Sequence, residues 1–556
     1  MNRKQLTGAS VMAAMLMAST APLYAQNAAS ALVKPVAPPP APAVATPPPV
    51  DGATPVKQAS LHVRCDGNPP QMSDVESFAR ILGALTLLAL FAPPPEQADA
   101  SKRLFGAAGV DACTQLIENP ASLEKNKLRL MKLILARAAH RIEARQYKEA
   151  LADVGLARAE AKAAGMSGNP YFERSMGLAF DRFESFARLR MGDAAGARTT
   201  SLSHLQTMPY SFLPVLTAQD FAWANRTMDA TEEQAHAIRD RMLTNALGSH
   251  CVRLEEMGRF EEAAALREAM VNRANSVTEG GSGAWLLAAT ATTHAMAGHW
   301  TLAKDRATEA RSKLDKADEE GKPDPLRSQI IEQLDFLGVV ELMHEGKIDE
   351  ARRNFAARSD WNVSIGQKWQ LADQLRKGAR PDQLFGALAK SGDEQWEDQR
   401  KRSMAALLQA DTNNRMLFSN ILPYATVQDY EKMSRQVWRA DKSKMIGEKP
   451  MKNSKFYVVS TFTLFGSSAF ARQDAQVLHS ALVAKARGYK GFMLLNGTTV
   501  DDTALVMFGN AGDPDMPAML YLDADAVIAE LRQVIPSPEE LEVRIKEREK
   551  AATTKA

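Results

Sequence analysis

A chain of 556 residues is long enough for several domains and large buried cores. Hydrophobic residues make up 45% and charged residues 24%, the balance of a soluble globular protein. The formal net charge of +2 falls to 0 once Arg3 and Lys4 are set aside, so bulk electrostatics gives no case for nucleic acid as a partner.

Arg3 and Lys4 give the chain a positive start, and Leu6–Ala21 is uncharged and largely apolar. Leu23-Tyr24-Ala25 then puts a small residue before Gln26. This layout of residues 1–25 predicts a secretory signal peptide and export to the periplasm. The apolar part is short and diluted by Ser, Thr and Gly, which argues against an uncleaved anchor of roughly 20 apolar residues. The mature chain is therefore expected to have no transmembrane span. Residues 26–59 follow as a Pro/Ala-rich linker, densest between Pro35 and Pro55. Prolines there favour extended polyproline II, at about 3.1 Å per residue a reach of roughly 60–70 Å. The segment reads as a spacer, with contact to cell wall or membrane surface as the alternative.

Cys65, Cys113 and Cys251 form no C-x-x-C pair, and the nine histidines show no metal-ligand spacing. No metal and no cofactor are expected. An oxidising compartment makes Cys65 and Cys113 candidates for a disulfide. Between them, Ile81–Ala92 is an uncharged run too short to cross a bilayer. It reads as a buried core helix, or else a membrane-surface or partner-binding helix.

Residues 60–445 are rich in Ala, Leu, Glu, Arg and Met and poor in alternating β-branched runs, which predicts a helical body. One pattern recurs in it: a Gly, an aromatic or apolar residue two further on, and an Ala three after that. Gly258-Arg259-Phe260-Glu261-Glu262-Ala263 is the best copy, followed by Gly298-His299-Trp300-Thr301-Leu302-Ala303. Looser copies start at Gly346 and Gly192, and Arg145-Gln146-Tyr147-Lys148-Glu149-Ala150 lacks the Gly. The Gly ends one helix in a left-handed conformation, and the next residues open a second helix. The Ala must be small because the two helices cross closely. Twelve residues earlier stand Ala138, Ser185, Cys251, Ala291 and Val339, four of them small. That position makes Cys251 a core residue rather than a nucleophile.

These segments resemble tetratricopeptide repeats, whose helical hairpins stack into a superhelix. Successive Ala anchors lie 47, 66, 40 and 48 residues apart, well beyond the period of about 34 usual for such repeats. The resemblance implies an α-solenoid that binds extended peptides along the face of its first helices. Carried over residue by residue, its contact positions are Arg182, Phe186, Asn245, Gly248, Val252, Trp285, Ala288, Thr292, Gln333, Phe336 and Val340. Phe336 and Val340 are expected to pack between repeats instead. The Lys and Asn clamp that some members use for a peptide carboxylate is missing.

Near Pro450 the composition changes. A basic linker from Lys442 to Lys455 leads into a strand at Phe456–Phe465 and a helix at Ala471–Arg487. Strands at Gly491–Leu495 and Thr503–Phe508, a short one at Met519–Leu522 and a helix at Ala524–Val534 complete a small α/β module of βαββα type over residues 453–536. The mixed-charge segment 537–556 reads as a solvated helical tail. Asp501-Asp502 and Asp513-x-Asp515 read as turn chemistry rather than calcium ligands, and His479 as a surface residue.

No catalytic constellation stands out, so the expected function is a periplasmic scaffold or adaptor that binds an envelope protein or peptide. The alternative is an envelope enzyme or small-ligand protein with a pocket between the solenoid and the α/β module.

Overall fold

The computed structural model describes residues 59–70, 96–243, 246–277, 280–409, 417–438, 446–452, 454–461, 468–496 and 503–555. The expected signal peptide, nearly all of the linker, the apolar run Ile81–Ala92 and Asn245 lie outside them. The described chain is mainly helical, with one antiparallel sheet near its C-terminus. It divides into two compact units.

The N-terminal unit holds residues up to Ser201 and takes back Ala406–Tyr424. Its helices are α1 (Leu61–Asp66), α2 (Gly106–Glu118), α3 (Lys127–Glu143), α4 (Tyr147–Ala163), α5 (Pro170–Glu173), α6 (Met176–Arg190) and α7 (Ala194–Leu202). A disulfide between Cys65 and Cys113 ties α1 to α2, with the Cα atoms 4.9 Å apart. Helix α2 approaches α3 closely at Gly109, where a Cβ would sit 2.4 Å from the His140 ring. His140 is fully buried, and its Nε2 lies 2.7 Å from the Cys65 carbonyl oxygen. The buried guanidinium of Arg137 donates from Nη2 to Asp153 at 2.7 Å, fastening α3 to α4.

The second unit holds α8 (Phe212–Thr217), α9 (Ala230–Met242), α10 (Ala246–Glu256), α11 (Phe260–Val277), α12 (Ala284–Met296), α13 (Trp300–Glu319), α14 (Arg327–His344), α15 (Ile348–Ala356), α16 (Ile365–Arg376) and most of α17 (Gly392–Leu407). Helix α18 (Val427–Val437) and the α/β module follow.

Five helical hairpins share one turn. Gly192, Gly258, Gly298 and Gly346 have φ of 89°, 71°, 86° and 77°. In the α3/α4 hairpin the same position falls on Arg145, which takes φ 62° without being a glycine. The five anchor alanines, Ala150, Ala197, Ala263, Ala303 and Ala351, are buried, and so are their partners twelve residues earlier. Cys251 Sγ lies 3.8 Å from the Ala263 carbonyl oxygen, which shows how little room the crossing leaves.

The module's sheet has the order β1-β2-β4-β3-β5, antiparallel throughout. The strands are β1 (Ile446–Pro450), β2 (Tyr457–Thr461), β3 (Gly491–Asn496), β4 (Thr503–Gly509) and β5 (Tyr521–Asp523). Helices α19 (Ala469–Ala486), α20 (Ala524–Leu531) and α21 (Pro538–Lys555) complete it. Strand β1 lies where the sequence reads as a linker. Gly447 and Pro450 have poor strand propensity, but pairing with β2 supplies the ladder, and an edge position tolerates proline. This strand also corrects the reading of His479 as a surface residue. Helix α19 turns His479 inward, fully buried, with Nε2 3.1 Å from Glu448 Oε2 on β1. Buried Asp474 on α19 accepts from the Phe212 N–H (2.8 Å), the Ser211 hydroxyl (3.1 Å) and the Tyr430 hydroxyl (3.2 Å), so the module is bonded to α8 and α18.

Candidate functional site

The groove positions separate by unit. On α6, Phe186 is buried, with the Arg182 and Arg190 guanidinium carbons 5.9 Å and 5.8 Å from its ring centre. Burial pulls both arginines down to about 10. Arg190 donates to the carbonyls of Phe186 (3.1 Å) and Leu407 (3.4 Å), so it already holds a part of the returning segment.

In the second unit the first-helix face is closed. Thr292 is 0% and Gln333 1% exposed. Gln333 Nε2 donates to Thr292 Oγ1 at 2.8 Å and to Gln367 Oε1 at 3.1 Å. Gln367 belongs to α16 and in turn donates to Glu255 Oε1 on α10 (3.0 Å) and Thr293 Oγ1 on α12 (2.9 Å). One side chain therefore bonds to α10, α12 and α14 together. Glu255 also accepts from Ser364 and from Arg267, which leaves its buried carboxylate well supplied with donors.

These contacts correct the reading of Thr292 and Gln333 as open binding positions. A peptide would have to displace α16 to reach either one. Phe336 and Val340 are buried, and Phe336 packs edge-on against Phe355 and Trp361. Trp285 is partly buried against the core, and Gly248 and Val252 on α10 are partly buried. Ala288 is fully buried.

A cleft of about 740 Å³ lies within the N-terminal unit. Its walls come from the end of α1, from residues 98–103, from α3, and from the returning residues 418–423. The Asp66 carboxylate and the Arg129 guanidinium form a buried bidentate pair there, with Nη2 to Oδ1 at 2.8 Å. Arg129 Nη2 also donates to the Asn68 carbonyl at 3.1 Å.

Two further cations line the same cleft. Arg103 lies over Phe418, its guanidinium carbon 3.6 Å from the ring centre, and its buried Nε has no hydrogen-bond partner. Lys132, one helical turn beyond Arg129, makes no hydrogen bond or ion pair among the described residues. Desolvation lowers both groups, and the neighbouring Arg129 lowers Lys132 further. Asp66 acts on both groups and Glu143 on Arg103 through space, but neither cation is bonded to a carboxylate among the described residues, and both line the cleft with the Phe418 ring. Sequence reading missed it. The available signal was Lys132 on one side of its helix with Arg129, Leu128, Leu135 and Ala136, two cations among apolar residues.

Among the described residues no group of three or more His, Cys, Asp or Glu is placed to hold a metal ion. The Cys251 thiol is fully buried, and desolvation raises it far above the ordinary thiol range, so it is inert as a nucleophile. No described helix is long and apolar enough to cross a membrane. The chain matches no protein-family model, no curated protein and no solved structure.

Proposed function

We propose that this protein is an exported scaffold of the cell envelope, and that its helical hairpins are a degenerate tetratricopeptide-like solenoid that binds a partner protein or peptide. The observation that carries this reading is the shared hairpin geometry. Five turns have positive φ at the same place, and each is followed by a buried Ala with a second buried residue twelve positions before it. A hairpin of this kind buries only part of its apolar surface alone and gains the rest by packing on its neighbours, which leaves long faces for ligands. The N-terminal layout of charged start, apolar stretch and proline-rich spacer supports export to the periplasm.

The test is cross-linking in intact cells followed by affinity purification and mass spectrometry. One partner enriched reproducibly over an unrelated exported control is the expected result. An abundant, correctly exported protein that enriches nothing would refute the scaffold.

A further inference from the structure

We infer that the cationic cleft of the N-terminal unit receives an acidic peptide segment, whose carboxylates pair with Lys132 and Arg103. The inference rests on the scaffold reading for the source of that segment, but the site itself stands on its own geometry.

A half-buried cation with no bonded counter-charge is costly, and a ligand carboxylate can supply that bond. Arg129 shows what a satisfied cation in this cleft looks like, because Asp66 meets it with both oxygens. Arg103 and Lys132 are bonded to no carboxylate among the described residues; Asp66 acts on both, and Glu143 on Arg103, only through space. The contact with the Phe418 ring uses none of the N–H donors of Arg103 as conventional hydrogen bonds, and its Nε has no hydrogen-bond partner.

The type of anion follows from the walls. Phosphate sites are usually cradled by backbone N–H groups at a helix N-terminus or a glycine-rich turn. Here α1 presents its C-terminal end, and the Asn68 carbonyl is turned toward Arg129. Pro69 and Pro423 contribute no N–H at all. Arg103 and Lys132 are the cations bonded to no carboxylate among the described residues, and the rest of the lining mixes apolar surface at Ala98, Ala100 and Ile421 with polar groups at Asn68 and Ser419. That combination suits spaced carboxylates on aliphatic stems. The volume of about 740 Å³ lies within the range of ordinary ligand clefts, roughly 300–1,000 Å³.

The test uses the full chain and a fluorescein-labelled hexaglutamate peptide, followed by fluorescence anisotropy at low salt. Hexaglutamate should bind, while hexaglutamine and hexalysine should not. Lys132→Gln and Arg103→Gln should each weaken binding about tenfold, the loss of one charge-assisted hydrogen bond, and Lys132→Arg should retain it. Carbodiimide coupling of the peptide to the wild-type protein should place the cross-link on Lys132, a readout that does not depend on any variant folding. Equal binding by wild type and both Gln variants, or cross-links confined to other lysines, would overturn the proposal. Displacement of the peptide by millimolar inorganic phosphate would also overturn it, by assigning a small-anion site. A Lys132-dependent peptide site with no partner enriched from cells would leave the cleft standing and remove the scaffold.

Discussion

Gln367 Nε2 donates to Glu255 Oε1 at 3.0 Å across 112 residues of chain, and through this bond α16 is fixed on the helices it covers. The backbone comes equally close. A Cβ at Gly366 would sit 2.4 Å from the Glu256 nitrogen and 2.6 Å from the Glu255 carbonyl carbon.

Gly366→Ala should therefore destabilise the protein by about 2 kcal/mol or more, since the clash is with backbone and cannot relax by a rotamer change. Urea unfolding measures this, with Gly248→Ala as the control. Gly248 is helical and has only the flexible Met270 Cε at 4.0 Å, so its replacement should be neutral or mildly stabilising. Equal stability of the two variants would contradict the close approach of α16 to α10.

Arg145 offers the opposite case. It is exposed, and it holds φ 62° where the other four hairpins have glycine. Arg145→Gly should raise stability by about 0.5–1 kcal/mol, the left-handed penalty less the extra chain entropy of glycine. Gly298→Ala should lower it by a similar amount, because open space around Gly298 leaves only the backbone cost. Calorimetric melting of the two variants should show shifts of opposite sign.

The thiols predict a count. Native, unreduced protein should expose no reactive thiol, because Cys65 and Cys113 are bonded and Cys251 is fully buried. Denaturation without reductant should release one. Replacing Cys65 and Cys113 together by Ser should cost about 4 kcal/mol, the chain-entropy value for the 48-residue separation. Three titratable thiols in the native protein would show that the bond does not form.

Glu268 gives the pH dependence. Hydrogen bonding from His294, with the Arg306 guanidinium beside it, holds this carboxyl down at about 2 against an ordinary 4.5. A lowered carboxylate favours the folded state wherever the unfolded chain is ionised, which is above about 4.5. That advantage shrinks as pH falls from there toward about 2. Glu268→Gln removes it, so the stability gap between wild type and variant should be full at neutral pH and close steadily in acid. A gap independent of pH would reject the assignment.

The hairpin turns were legible because their cause is local. A glycine, an aromatic residue and an alanine within six positions state the geometry that Gly258, Phe260 and Ala263 adopt. The α19 helix and strands β2–β4 were legible for the same reason, since their periodicity and β-branched content are local too. Helix α16 was not. Nothing in the run from Ile365 to Arg376 announces that Gln367 will meet residues 34, 74 and 112 positions away. Strand β1 was hidden because its stability comes from β2 rather than from Gly447 or Pro450. The cleft was hidden for a related reason. Arg103, Lys132 and Phe418 are far apart in sequence, and a cation reads as solvated until its neighbours are known.

The return of residues 406–424 to the N-terminal unit sets an order of events for the growing chain. Arg190 reaches Leu407 only after 217 further residues have been made, and Phe418 is needed to roof both His140 and Arg103. A chain made from its amino end must hold α3 and α6 uncovered while the second unit is being synthesised. Cys65 and Cys113 meet long before that roof exists, so their oxidation has an open window, and closure of the unit waits for the last of its own residues to arrive.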